Sequence, residues 1–170
     1  MPRVEMIEER EQATPAQVEV FDHIAASRGR MIRPFAAMLH RPEIARAVAD
    51  VGAVIRYQGT LSDHVRELVI CTTAIEEDCP FEWESHSPPA RAAGIAETTL
   101  EAIRERADLP EGEASDLVGF VRQIAGDGHV TDDLAGRLLD RFGEQGFVEL
   151  AAIVGYYALM AAFMRACEAC

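Results

Sequence analysis

Along most of the chain, apolar residues recur every third or fourth position, the spacing of helices with one buried face. In residues 61–78, Val65, Leu68, Val69, Thr72 and Ile75 keep this spacing behind Ser62. A serine there can accept hydrogen bonds from the unpaired N–H groups of a helix's first turn. Thr14 and Pro15 open the segment 14–29, and Gly29 closes it; proline suits a helix start and glycine its end. Pro42 and Gly59 bracket the segment 41–59 in the same way. A further helix is predicted from about Pro80, ending or kinking at Ser87-Pro88-Pro89, because proline removes a helical hydrogen bond. Residues 95–126 read as two helices split at Leu109-Pro110, and Thr131 caps residues 131–143. The closing segment, from about Glu144 to Cys167, is apolar on most of its circumference. No alternation of period two lasts long enough to compete as a strand. The pattern predicts an all-α fold of seven to nine helices in one domain, residues 1–170.

A helix that is apolar on several sides is buried on several sides. In a chain of 170 residues, that burial is expected to be completed by a second copy. The plainer alternative is the central helix of a monomer.

Charge narrows the function classes. The net charge is −13, and all sixteen basic residues are arginine. An acidic surface repels phosphate backbones and anionic lipid, so neither nucleic acid nor a membrane is an expected partner. Without lysine, a Schiff-base lysine and a P-loop lysine are both excluded. Arginine is left as the fixed cation for an anionic substrate. No uninterrupted apolar run approaches the ~20 residues that span a bilayer. The start, Met-Pro-Arg-Val-Glu-Met-Ile-Glu, has no apolar signal core. A cytoplasmic location is expected, with Cys71, Cys79, Cys167 and Cys170 reduced.

The densest chemistry lies in Ile75–His86, Ile-Glu-Glu-Asp-Cys-Pro-Phe-Glu-Trp-Glu-Ser-His. Cys79, Glu82 and His86 are spaced by three and four, which places them on one helical face. Pro80 puts Cys79 at the helix N-terminus, where the dipole and unpaired N–H groups favour a thiolate. The surrounding acids Glu76, Glu77, Asp78, Glu82 and Glu84 oppose that effect. On the preceding helix, Glu67 has apolar followers, and burial would fit it for proton transfer. Each residue also has an ordinary reading: an inert cysteine, solvated first-turn acids, a packed histidine and a core Trp83. Cys79, Glu82 and His86 supply three metal ligands where a structural zinc site needs four. No metal and no cofactor are expected.

The joint spacing resembles the carboxymuconolactone decarboxylase and AhpD-like alkylhydroperoxidase family. Its redox branch carries Glu-x-x-Cys-x-x-Cys-x-x-x-His and an earlier Glu. Glu76, Cys79 and His86 fall on the first Glu, the first Cys and the His, and Glu67 on the earlier Glu. Glu82 stands where the second, peroxide-reactive cysteine would be. Phe-Glu-Trp-Glu-Ser-His looks like the decarboxylase-like branch. The resemblance implies an AhpD-like helical domain, with 61–170 as core and C-terminal helices and 1–60 as a helical N-terminal extension. It also implies a homo-oligomer, whether trimer, hexamer or dimer, with the site near subunit contacts.

Three functions follow as expectations. The first is a carboxymuconolactone decarboxylase-like enzyme without cofactor. It would use Glu67, Glu82 and His86 for acid–base chemistry on a small organic acid or lactone. Arg66 or Arg91 would hold the substrate carboxylate, and Trp83, Tyr156 and Tyr157 would line the pocket. The second is a thiol peroxidase acting through Cys79, with Cys71, Cys167 or Cys170 as resolving thiol. The third is a non-catalytic oligomeric binding protein.

Overall fold

The computed structural model describes residues 2–168; Cys170, the second thiol of the C-terminal Cys-Glu-Ala-Cys, lies outside them. Among the described residues there are eight α-helices, one short 3-10 helix at Arg10–Gln12 and no strand. The helices are α1 Pro15–Arg28, α2 Arg33–Met38, α3 Pro42–Tyr57, α4 Asp63–Glu76, α5 Pro80–Ala92, α6 Glu97–Arg104, α7 Glu113–Gly126 and α8 Asp132–Cys167. The all-α class and the number of helices agree with the periodicity. The contacts cluster into two units, Met1–Gly59 with Ala162–Cys170, and Thr60–Ala161.

In the first unit α1 and α2 pack on α3. Ile24, Phe35, Leu39, Ala45 and Ala49 form its core. The six-residue α2 has no periodicity to betray it, being too short, yet all of it after Arg33 is buried.

In the second unit α4 lies against α5, α6 and α7. Ser62 caps it, its hydroxyl accepting from the Val65 N–H at 3.3 Å. Every residue from Glu67 to Ala74 is buried. Thr72 and Thr73 fit this interior because each hydroxyl donates to the carbonyl one turn back, at Leu68 and Val69, both at 2.8 Å. An unbonded buried hydroxyl would cost about 1–3 kcal/mol.

One detail differs from the periodicity, and another agrees with it. Of the two outcomes expected at Ser87-Pro88-Pro89, an end or a kink, the helix α5 does not end there; it runs on to Ala92 with both prolines inside it. Pro88 and Pro89 are exposed, as are Glu84 and Ser85, whose carbonyls lose their helical partners to the two prolines. Water can satisfy those carbonyls, so the helix survives. The 36-residue α8 is broken at Gly143, which has φ 67° and ψ 177°, a conformation suited to glycine. The segments on either side are the two helices predicted there. By length and composition α8 could cross a bilayer, but 44% of its most apolar window is already buried inside the protein. Leu150, Ile153, Val154, Tyr157 and Met160 are buried, while Val148, Ala151, Ala152, Gly155 and Leu159 are exposed.

Candidate active site

The turn between α4 and α5 sets up the site. Asp78 takes φ 49°, which reverses the chain and places Cys79 as the N-cap of α5. The Cys79 N–H donates to the Ala74 carbonyl at 2.8 Å, and Cys79 is 1% exposed. The turn is tied down from outside. Arg106 donates to the Ile75 carbonyl at 2.5 Å and to Asp78 at 2.9 Å. Glu76 lies 3.4 Å from Arg106 and 3.3 Å from Arg122. Glu76, which matches the motif's first Glu, is thereby engaged in this outer ion-pair cluster.

One turn and more further into α5, His86 meets Glu67 of α4. The His86 Nδ1 lies 2.7 Å from Glu67 Oε2, and each residue is 5% exposed. A carboxylate only accepts, so an ionised Glu67 holds a proton on Nδ1 and leaves Nε2 to act. On that side Glu82 Oε2 is 3.6 Å from Nε2, and Glu82 is 4% exposed. That separation exceeds a direct hydrogen bond. The imidazole is packed edge-on against Tyr157 of α8, with ring centroids 5.0 Å apart.

The structure thus brings Glu67, Glu82 and His86 into one buried line. Arg66 joins it from beside Glu67, with Nε 3.6 Å from Glu67 Oε1. Trp83 is half-buried on α5, with its backbone N–H donating to the Cys79 carbonyl at 3.2 Å. Tyr156 stands one layer back, edge-on to Tyr157 at 5.2 Å. The adjacent tyrosines are visible in the sequence; which of them faces the histidine is not. Arg91 is exposed and bidentate to Glu97 at 2.6 and 2.8 Å. Burial pushes the Cys71 thiol up to about 12, the nearby Glu67 charge adding to the shift and Arg91 partly offsetting it. No group of three or more His, Cys, Asp or Glu suited to a metal ion occurs among the described residues.

Comparison with known proteins agrees with this architecture. Residues 42–121 match the model of the Carboxymuconolactone decarboxylase family. The match takes in α4, α5 and the whole Glu67–His86–Glu82 line. Among solved structures, the debrominase Bmp8 in its apo form is similar, with a TM-score of 0.74 at 16% identity, covering 96% of this chain and 89% of that one. A cysteine-to-alanine variant of Bmp8 in complex with 2,3,4-tribromopyrrole is similar at a TM-score of 0.71 and 14% identity, covering 99% and 92% of the two chains. At these identities the likeness is one of fold. No curated protein matches the chain.

Proposed function

We propose that the chain is a cofactor-independent enzyme that moves a proton on a small organic acid or lactone. Glu82 and His86 are its acid–base pair, and Glu67 orients the imidazole. The observation that carries this reading is the buried line of Glu67, His86 and Glu82. Two carboxyls flanking one imidazole out of water separate into an ionised partner and a proton carrier. In a decarboxylation the bond to CO2 breaks and its electron pair moves into the adjoining unsaturated system. Glu82 or the imidazolium then delivers the proton to carbon, and solvent restores it. The test is a screen of lactones and β,γ-unsaturated acids, with Glu82→Gln as control. Turnover abolished in a folded Glu82→Gln variant is the expected result; full activity in that variant overturns the assignment.

A second reading places the chemistry on Cys79. It is favoured by the position of that thiol at the start of α5 and by Bmp8, a debrominase whose ligand complex was obtained with a cysteine replaced. As a peroxidase, the thiolate would attack the peroxide, release an alcohol and become a sulfenic acid. Cys71, held protonated by burial, is a poor resolving nucleophile, so an external thiol would complete the cycle. Hydroperoxide consumption with a dithiol reductant, lost in Cys79→Ser, is the result that would favour it over proton transfer.

The chain is further proposed to form a homo-oligomer through the exposed apolar stripe of α8. Val148, Ala152, Gly155 and Leu159 repeat at spacings of four, three and four, the seam of packed helices. Tyr156, buried at 9% exposure, belongs to the interior and is a poor probe of that stripe. Val148→Asp and Leu159→Asp should lower the mass seen by light scattering; an unchanged mass counts against the interface.

A further inference from the structure

Among the described residues, Nε of Arg66 is the buried side-chain nitrogen that lacks a hydrogen-bond partner. The same guanidinium donates through Nη2 to Asp63 at 2.8 Å, and the side chain is 15% exposed. What Nε faces is Glu67, 3.6 Å away.

We propose that Arg66 is a positioning residue that sets how many protons the buried site holds. Charges out of water are costly unless they cancel. The groups placed against His86 and its partners are Arg66, Glu67 and Cys71 from α4, Glu82 from α5, and Tyr157 backed by Tyr156 from α8, with Cys79 at the start of α5. Arginine is always a cation. Cys71 is a neutral thiol, and Cys79 and the tyrosines are counted in their ordinary neutral forms. Asp63 is 78% exposed, and water screens it. Arg66 then cancels Glu67, and the remaining charge is that of Glu82.

One proton on the His86–Glu82 pair makes this set neutral. It sits as an imidazolium facing a carboxylate, or as an imidazole facing a carboxylic acid. Either way one partner can give a proton and the other can take one. Without Arg66, neutrality needs two protons. His86 and a carboxyl are then both protonated, and nothing facing Nε2 can accept. The arginine thus keeps the pair half-filled, which is the state a proton-transfer site must rest in.

The inference rests on the proposed proton-transfer reading, but the proton number can be measured without turnover. The experiment is NMR of the full chain near neutral pH, with nitrogen-labelled histidine and carbon-labelled glutamate. It compares the wild type, Arg66→Lys, Arg66→Met, and Arg66→Met combined with Glu67→Gln. The wild type and Arg66→Lys should show one proton on the pair. Arg66→Met should show a doubly protonated His86 beside a protonated carboxyl, with the His86 midpoint raised by about one pH unit or more. The double variant, which removes both charges, should return to one proton.

A folded Arg66→Met with the wild-type proton number overturns the proposal. Should Arg66→Met not fold, the double variant decides. One proton in it supports the proposal, and any other number overturns it. A wild type that holds one proton but turns over no lactone or acid would sink the proposed reaction and leave the role of Arg66 standing.

Discussion

Two glutamates on α4, Glu67 and Glu76, lie nine residues apart, two and a half turns, and so point to opposite sides of the helix. Both coincide with acids of the family motif. Glu67 faces inward and meets His86 at 2.7 Å. Glu76 faces outward and meets Arg106 and Arg122 at 3.3–3.4 Å. The same residue type on the same helix has two jobs, set by what the neighbouring helices bring to it. The buried one holds the imidazole of His86; the outer one braces the turn that carries Cys79.

This contrast can be broken most directly by stability. Glu67→Ala leaves His86 and Arg66 buried without their partner. Breaking a buried pair in this way costs about 3 kcal/mol or more, read as a fall in denaturant midpoint at constant slope. Glu76→Ala loosens ion pairs whose arginines remain open to water, Arg106 at 47% and Arg122 at 24%, and should cost less, about 1 kcal/mol. Equal losses would mean that the inner pair is not held as the geometry shows.

Most of the fold is legible in the order of residues along the chain. The caps at Ser62 and Thr14, the proline starts and the break before Glu144 are local signals, and local geometry obeys them. The inward turn of Glu67 is legible too, because Ile70, Cys71 and Ala74 share its neighbourhood along the helix. What is not legible is who meets whom. His86 lies 19 residues from Glu67, and Arg122 lies 46 from Glu76. Such pairs are decided by how α4, α5 and α7 dock. The motif groups Glu76 with the site, but docking gives it to the arginines. The run of α5 through Pro88-Pro89 escapes for a related reason: the cost of proline depends on whether water reaches the freed carbonyls.

A further test concerns the thiols. A thiolate is the species that alkylates, and Cys71 is held as a thiol up to about 12. In the native protein at pH 8, Cys71 should resist iodoacetamide while the half-buried Cys167 reacts, as peptide mass spectrometry would show. The sign of the linked stability follows. A raised thiol favours the native state fully below its unfolded value near 9, and this contribution is lost as pH rises toward 12. Rapid alkylation of Cys71 at pH 8 would mean that the α4 interior opens readily.

Glu149 sharpens the comparison from the acid side, with a smaller effect. Burial alone would raise its pKa, but hydrogen bonds from the Thr60 hydroxyl, the Thr60 and Leu61 N–H groups and Gln145 outweigh it and hold the carboxyl below 4.5. The Thr60 contacts are 2.8–3.0 Å and the Leu61 contact is 3.1 Å. Because the native value is depressed, this stabilisation is present above the unfolded value and disappears as pH falls through the native one. Glu149→Gln should therefore lower the denaturant midpoint at pH 7, with the gap to wild type closing as the medium is acidified below about pH 4. A gap that stays constant down to pH 2 would assign the loss to packing rather than charge. In that case Glu149, unlike Glu67, would hold its segment by shape alone.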